Sequence, residues 1–422
     1  PGAKLLIISL SPGEARIMKN YYYTISLHRG KQCFLKEKKM GKKLIAVPAA
    51  LGVAAVWFGS HAGAGFATGR QEVEYFVQFG WHAVWIGLFS MSILGFAIYN
   101  GLEFARLHKT YDYRSFFKKL YAPPQKLQSV PYLGLVLPTL WELLYLYAAI
   151  LATGGVIAGA SKLLNETLDI PYVIGVILIG GLLLVFTIFG AGLVRGASVF
   201  MAAFIILALI IVTGLGIKLG AANLGKVVAE RTTRAGFPKI LYMALLYGAF
   251  QSVLLAPIVS VSESLKSRKD TFLAAFSGFL VNGAMLVLVC IMLLSFFPVV
   301  IHKVLAVRYV TAQLGYNWLN VLYSLILFFA FISTGVGLIF GVVKRFETTW
   351  TKDSGFFKGM RRKRIAICLT CLLVSGGISL FGLTAIVAKG YGSLGLFSIF
   401  LTIIPLLFIA PFKNRKARKE KA

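Results

Sequence analysis

Residues 59 to 69 read Gly-Ser-His-Ala-Gly-Ala-Gly-Phe-Ala-Thr-Gly and concentrate the chain's potential for binding chemistry. Glycine stands at 59, 63, 65 and 69 and alanine is the only strong helix former, so a continuous helix through the run is costly. Unwinding frees backbone N–H and C=O groups, which can then ligate a polar solute or an ion. Ionisable side chains accompany the run: His61 inside it, then Arg70, Glu72 and Glu74, with Glu103 and Glu142 further on in apolar surroundings. Such groups can exchange protons or form gates.

The elements that must hold these residues are membrane helices. Hydrophobic residues make up 58% of the 422 positions and charged residues 14%, too little polar surface for a soluble globule of this length. Ten stretches have about the 20 apolar residues that a transmembrane helix needs. They are Leu44 to Phe79 with the break inside, Val84 to Ala105, Tyr132 to Ala160, Tyr172 to Phe189, Ala197 to Ile217, Ile240 to Val261, Phe272 to Val300, Tyr316 to Val343, Ile365 to Ala388 and Leu394 to Pro411. Bare backbone at membrane depth is tolerated only where protein or a water-filled cavity covers it, so the break reads as a site inside a bundle.

The net charge of +29 does not point to nucleic acid, because the Lys and Arg residues lie in tails and loops between apolar runs. They read as contacts to lipid headgroups and as topology signals. Arg106 to Lys126, Arg195, Lys266 to Lys269, Lys344 to Arg364 and Lys413 to Lys421 fall on one side, which places the N- and C-terminal sides in the cytoplasm. The loop from Lys218 to Lys239, with Lys226, Arg231 and Arg234, dissents. Residues 1–39 are expected to be a non-native or disordered basic extension before Met40, residues 40–411 the transmembrane domain, and residues 412–422 a basic cytoplasmic tail. Lys42, Lys43 and Ala62-Gly63-Ala64 resemble a cleavable leader, but the many spans beyond favour an intact first span. Cys368 and Cys371 form a C-x-x-C with no His or second pair nearby, and read as small apolar side chains.

Ten spans divide into two sets of five, and five being odd, the second set enters the membrane in the opposite sense. Inverted repeats of this kind carry discontinuous helices at matching positions. The sixth span contains Tyr247-Gly248-Ala249-Phe250-Gln251-Ser252 followed by Pro257, which removes a backbone hydrogen bond, so a break or kink is expected there too.

The run Gly63-Ala64-Gly65-Phe66-Ala67-Thr68-Gly69, with Gln71-Glu72 after it, resembles the signature of the YkvI-like membrane proteins. This little-characterised bacterial group is similar to the amino acid-polyamine-organocation superfamily. The resemblance covers Met40 to about Pro411, and Arg70 departs from it by standing where the glutamine would follow the glycine directly. It implies an all-α integral membrane protein of the LeuT-type fold, with broken helices one and six, in the inner membrane of a bacterium. It also implies a sodium ion between spans one and eight, held by the carbonyls of Gly59, Ala62 and Ala330 and the hydroxyls of Ser333 and Thr334. Sodium suits neutral oxygen ligands, although hydroxyl pairs also serve helix packing, and proton coupling stays open.

Cargo is expected between the two breaks. Gly63 and Ala64 are expected to border it, the amides of Gly65, Phe66 and Ala67 to meet an anionic group, Tyr247, Phe250, Gln251 and Ser252 to form the opposite wall, and Tyr145 or Tyr147 a side. His61 reads as a partner for an exposed carbonyl or as a proton site. Arg70, Glu72, Glu74 and Glu103 read as one cytoplasmic interface network or an inner gate, and Glu142 as a candidate for proton coupling. The expected activity is ion-coupled secondary transport of a small, amino-acid-like solute, with sodium favoured over a proton and no other cofactor. The alternative is a solute sensor that does not transport, similar to the membrane subunits of germinant receptors. An enzyme is not expected, because no metal-ligand cluster, nucleophile elbow or phosphate loop is present in the sequence. The oligomeric state is not legible.

Overall fold

Apolar residues three and four apart build the first helix, α1 (Ala49–His61), which buries Ala50, Val53, Ala54, Trp57, Phe58 and His61 on one face. This is a computed structural model, and it describes residues 48–123, 133–189, 191–349 and 360–420. The expected extension over residues 1–39 and the expected start of the first span at Leu44 lie outside the described residues.

After α1 the helix stops at Ala62 and Gly63, then resumes as a single turn, α2 (Ala64–Ala67). A second turn at Thr68 and Gly69 leads to α3 (Arg70–Tyr75). Gly69 has φ +75°, a left-handed conformation that glycine adopts without steric cost, and a Cβ there would come within 3.1 Å of the Val307 nitrogen. The Val307 N–H donates to the Thr68 carbonyl (3.1 Å), so the broken span is tied down where the chain approaches most closely.

The remaining elements follow as α4 (Ile86–His108), α5 (Tyr113–Tyr121), α6 (Leu133–Leu168), α7 (Tyr172–Phe189), α8 (Ala191–Leu219), α9 (Ala221–Ala229), α10 (Phe237–Gln251), α11 (Leu255–Ser260), α12 (Arg268–Leu294), α13 (Ala306–Gln313), α14 (Asn317–Thr349), α15 (Met360–Ser379) and α16 (Gly382–Lys419). Among the described residues seven helices are long and apolar enough to cross a membrane, and an eighth bends by 71° from α8 into α9. Large apolar side chains lie bare on the perimeter, Phe96, Ile177, Leu373 and Phe408 among them, as on a surface that faces lipid rather than water. The protein is a multi-pass membrane protein.

Three features differ from the sequence expectations. The sixth span is interrupted only by a 3-10 turn at Ser252–Leu254, upstream of Pro257, so the second break is a tightening of the helix and not an unwound loop. The ninth and tenth spans meet at Leu380 and Phe381, not near Lys389. Gly382, at φ +80°, makes the turn, while the Lys389-Gly390 stretch that looked like a loop is a π turn inside α16. The dissenting loop is partly helical, as α9, and Arg234 beyond it lies over the Phe297 ring, 5.9 Å from its centre.

The basic stretch from residue 412 continues α16 as helix and packs on the bundle. Lys413 Nζ donates to the carbonyls of Lys119, Leu120 and Ala122 (2.8–3.0 Å), the bare C-terminal end of α5. A cation at that end also complements the helix dipole. Lys413→Ala is expected to cost about 1 kcal/mol. It should make the α5 region more accessible to protease or hydrogen exchange, and unchanged protection there would show that the lysine contributes nothing.

Candidate functional site

The break in the first span borders a cavity of about 490 Å³. The lining comes from α1, α2 and α3, from α6, α8, α10 and α11, and from α14 and α16. The helical ladder of α1 ends with the Ala62 N–H on the Phe58 carbonyl (2.8 Å), and the next backbone bond is the Ala67 N–H on the Gly63 carbonyl (3.1 Å). Helix-end groups therefore lie at the cavity wall.

Of the residues expected to hold an ion, Gly59, Ala62, Ser333 and Thr334 all line this cavity. Thr334 Oγ1 is 3.7 Å from where a Cβ on Gly63 would stand, which brings the α14 hydroxyls to the break itself. The Ser333 hydroxyl donates to the Ala330 carbonyl (3.2 Å) and keeps its oxygen free to accept a further ligand. Ala330 is buried, and it is not among the residues lining the cavity.

Of the expected cargo residues, Gly63, Gly65, Phe66, Tyr145, Phe250 and Gln251 line the cavity. The side chain of Ala64 lies outside the described residues. Ala67 does not fit its expected role. Its N–H is spent on Gly63, its carbonyl accepts from the Tyr323 hydroxyl (2.5 Å), and α2 is too short to carry much of a dipole. Tyr147 pairs instead with Ser393 (2.8 Å), and the Ser252 hydroxyl turns back to the Ala249 carbonyl (2.6 Å).

Tyr247 lies behind the cavity wall, where its hydroxyl is 2.8 Å from His61 Nε2. His61 Nδ1 is 2.7 Å from Asn282 Oδ1, and Asn282 Nδ2 donates to the Gly278 carbonyl (2.7 Å), which fixes the amide orientation. His61 therefore donates from Nδ1 and accepts the Tyr247 proton at Nε2. The expectation that it bonds an exposed carbonyl is not met, because side chains from α10 and α12 take both ring nitrogens. Tyr247→Phe removes one of these bonds and leaves a buried nitrogen unpaired, at an expected cost of about 1–3 kcal/mol. A thermal unfolding temperature equal to that of the unsubstituted protein would show that the chain of bonds is dispensable.

The expected interface network separates into two clusters. Arg70 donates to Glu74 (2.6 Å) and to the carbonyls of Ile301 (2.9 Å) and Lys303 (3.4 Å), beyond the C-terminal end of α12. Glu103 pairs with Arg106 (2.8 Å) and Arg418 (3.2 Å), and Arg106 also reaches the Lys266 carbonyl (3.4 Å), just before the start of α12. The 27 residues of α12 span about 40 Å, so the two clusters stand at opposite ends of the bundle. Glu142 pairs with Arg345 and, at 3.9 Å, with Arg114, with about a quarter of its side chain exposed. It is part of a peripheral ion pair, away from the cavity. Glu72 is buried completely, and neither carboxylate oxygen has a hydrogen-bond partner.

Tyr391 and Gln71 are among the lining residues that the expected site did not include. Tyr391 stacks on Phe250 with ring centres 5.1 Å apart, and Gln71 lies 3.5 Å from Gln251. Gln71 was legible in the Gln71-Glu72 pair that comes after the glycine run and Arg70. Tyr391 was hidden in the segment mistaken for a loop. The polar lining clusters at the break, while Val253, Leu254, Pro257, Leu338, Val342 and Ile205 make the rest apolar. Among the described residues no Lys, Arg, Asp or Glu lines the cavity.

No protein-family model matches the chain, and no curated protein matches it in sequence. Solved structures do match in three dimensions. A Na+-coupled sialic acid symporter in its substrate-bound outward-open state is 13% identical, with TM-score 0.57, over 85% of this chain and 78% of that one. Mhp1 in its inward-facing conformation is 12% identical, TM-score 0.57, over 88% and 90%. MhsT in complex with L-phenylalanine is 16% identical, TM-score 0.53, over 89% and 99%. At these identities the likeness is one of architecture, and it places the chain in the LeuT-type fold, all-α with interrupted first and sixth spans.

Proposed function

We propose that the chain is an ion-coupled secondary transporter of a small, amino-acid-like solute, with sodium favoured over a proton as the main coupling ion. The observation that carries this reading is the convergence of Gly59, Ala62, Ser333 and Thr334 on one cavity at a broken membrane helix. Oxygens at such a break offer a monovalent cation a neutral cage without burying a carboxylate. The same cavity offers aromatic surface from Phe66, Phe250 and Tyr391 and polar contacts at Gln71 and Gln251, which suits a solute with an apolar body and a compact polar head. The absence of charged lining side chains among the described residues disfavours a solute of high net charge, whose burial would go uncompensated. A zwitterion, its carboxylate next to a bound cation, meets that condition.

On this reading the protein works in a bacterial cell membrane with its N- and C-terminal sides in the cytoplasm, and the cavity exchanges access between the two faces as the first and sixth spans tilt. A thermal-shift screen of the purified protein against amino acids and related solutes, with and without sodium, tests it. A solute present at a hundred times its Kd should stabilise the protein by about 2.7 kcal/mol. Uptake of that solute into vesicles under an imposed sodium gradient should follow. Binding without accumulation would replace the transporter by the sensor reading. Stabilisation by no solute, with or without sodium, would remove the site.

A further inference from the structure

Glu72 has no place in the cavity chemistry, and its surroundings are unusual. It lies on α3, is fully buried, and is not among the residues lining the cavity. Each of the other acidic residues considered above has a cationic partner: Glu74 has Arg70, Glu103 has Arg106 and Arg418, and Glu142 has Arg345 and Arg114. Glu72 has none. Both its oxygens lack any hydrogen-bond donor.

The titratable groups facing it are neutral in their ordinary forms: Tyr247 from α10, Cys290 from α12 and Tyr323 from α14. Among the described residues no charged group from these helices, from α16 or from the Val299–His302 turn pairs with it. Arg70, two residues before it, directs its guanidinium to Glu74 and to the Ile301 and Lys303 carbonyls. An isolated carboxylate in such a place costs several kcal/mol or more, so the group must be neutralised.

A metal cation and a proton are the two ways to neutralise it. A cation of the sodium class needs several oxygen ligands around the carboxylate. Of the titratable groups facing it, only the Tyr247 and Tyr323 hydroxyls could add oxygen, their protons directed to His61 and the Ala67 carbonyl, and two such oxygens fall short of a cage. Cys290 supplies a soft sulfur that suits such an ion poorly. A proton needs no further ligand.

We infer that Glu72 is a proton-binding site separate from the cavity, carrying its proton in the conformation seen here and exchanging it with water only when α2 and α3 part from α10, α12 and α14. The step is a simple protonation: water or hydronium gives a proton to one carboxylate oxygen in the open arrangement, and the carboxyl group returns it to water when the segment opens again. Because Glu72 sits on the broken span, its proton moves with the same half-helix whose start borders the cavity. The transport cycle thereby gains a proton as a second ion. The inference stands on the burial of Glu72 and does not require the sodium assignment to hold.

The test needs no knowledge of the solute. In the purified, folded protein at neutral pH, infrared spectroscopy should show a protonated carboxylic carbonyl band that disappears in Glu72→Gln and is displaced in Glu72→Asp. Thermal unfolding supplies the second readout. Folding with a bound proton that the unfolded chain releases makes stability fall as pH rises, by up to tenfold in the folding equilibrium per pH unit, and Glu72→Gln should flatten that slope. The wild-type infrared measurement alone decides the matter if the variants do not fold, because absence of any protonated carboxylic band at neutral pH overturns the proposal. Equal pH slopes in wild type and Glu72→Gln overturn it too. So does a sodium-dependent stabilisation that survives in Ser333→Ala/Thr334→Ala and is lost on adding Glu72→Gln, which would assign a metal cation to the carboxylate.

Discussion

Replacing Ser333 and Thr334 together by Ala is expected to abolish sodium-dependent stabilisation while leaving membrane insertion and the fold intact. Both side chains line the cavity, and the Ser333 hydroxyl makes a single bond, to the Ala330 carbonyl one turn back on its own helix. Their removal takes little from packing between helices, and α14 loses no backbone bond. A sodium cage of four or five oxygens cannot lose two and keep its affinity, so sodium that raised the unfolding temperature of the parent protein should no longer do so. The measurement is a pair of melting curves with sodium and with a large organic cation in its place. An undiminished sodium response in the double variant places the ion elsewhere. Glu72 would then be the next carboxylate to examine, and its pH readout separates the two outcomes.

Gly65→Leu should eliminate solute binding in a protein that still folds. A Cβ at residue 65 would stand 2.4 Å from Gln71 Nε2, so even the first carbon of a new side chain displaces the glutamine that meets Gln251 across the cavity. The displaced group is the far end of a flexible side chain, which makes the substitution tolerable for the fold. The remaining carbons of leucine would then occupy space beside Phe66, where the polar end of a solute has to approach backbone. The expected loss in affinity is a hundredfold or more, roughly 3 kcal/mol in binding free energy. Isothermal titration with whichever solute stabilises the parent protein checks it. Parent-like affinity in a well-folded Gly65→Leu protein would mean that the break is not the binding site.

The first break was legible because glycine content is a local property: the run from Gly59 to Gly69 cannot sustain a helix whatever surrounds it. Tyr172 to Phe189 was legible to the residue, since polar Asp169 and Pro171 precede it and a glycine follows. The boundary between the last two spans was not, because Leu380-Phe381-Gly382 shows no dip in hydropathy while Lys389 does. A tight turn at one left-handed glycine needs no polar residues, and a π turn admits a lysine within a helix. Pairings were hidden for another reason. Glu142 meets Arg345 across 203 positions and His61 meets Tyr247 across 186, and nothing in either local sequence announces the partner. The roles of Arg70 and Glu103 were misjudged together because being acidic or basic says nothing about which end of a bundle a residue occupies.

The lysine that closes α5 comes from the opposite end of the chain's synthesis. Lys413 is added 294 residues after Lys119, whose carbonyl it binds. Until α16 has been translated and inserted, the last carbonyls of α5 have only water or lipid headgroups to satisfy them. In the meantime Phe116, Phe117, Leu120 and Tyr121 depend on α6 and its neighbours for cover. The stacked pair of Tyr113 and Tyr145, one ring on α5 and the other on the cavity wall, belongs to this late-maturing region. A ribosome stalled before residue 413 would thus hold a membrane protein whose α5 is already made and whose support, like the α16 share of the cavity wall, is not. Shielding of α5 in such stalled chains, measured against the full-length protein, would time the completion of the site during biosynthesis.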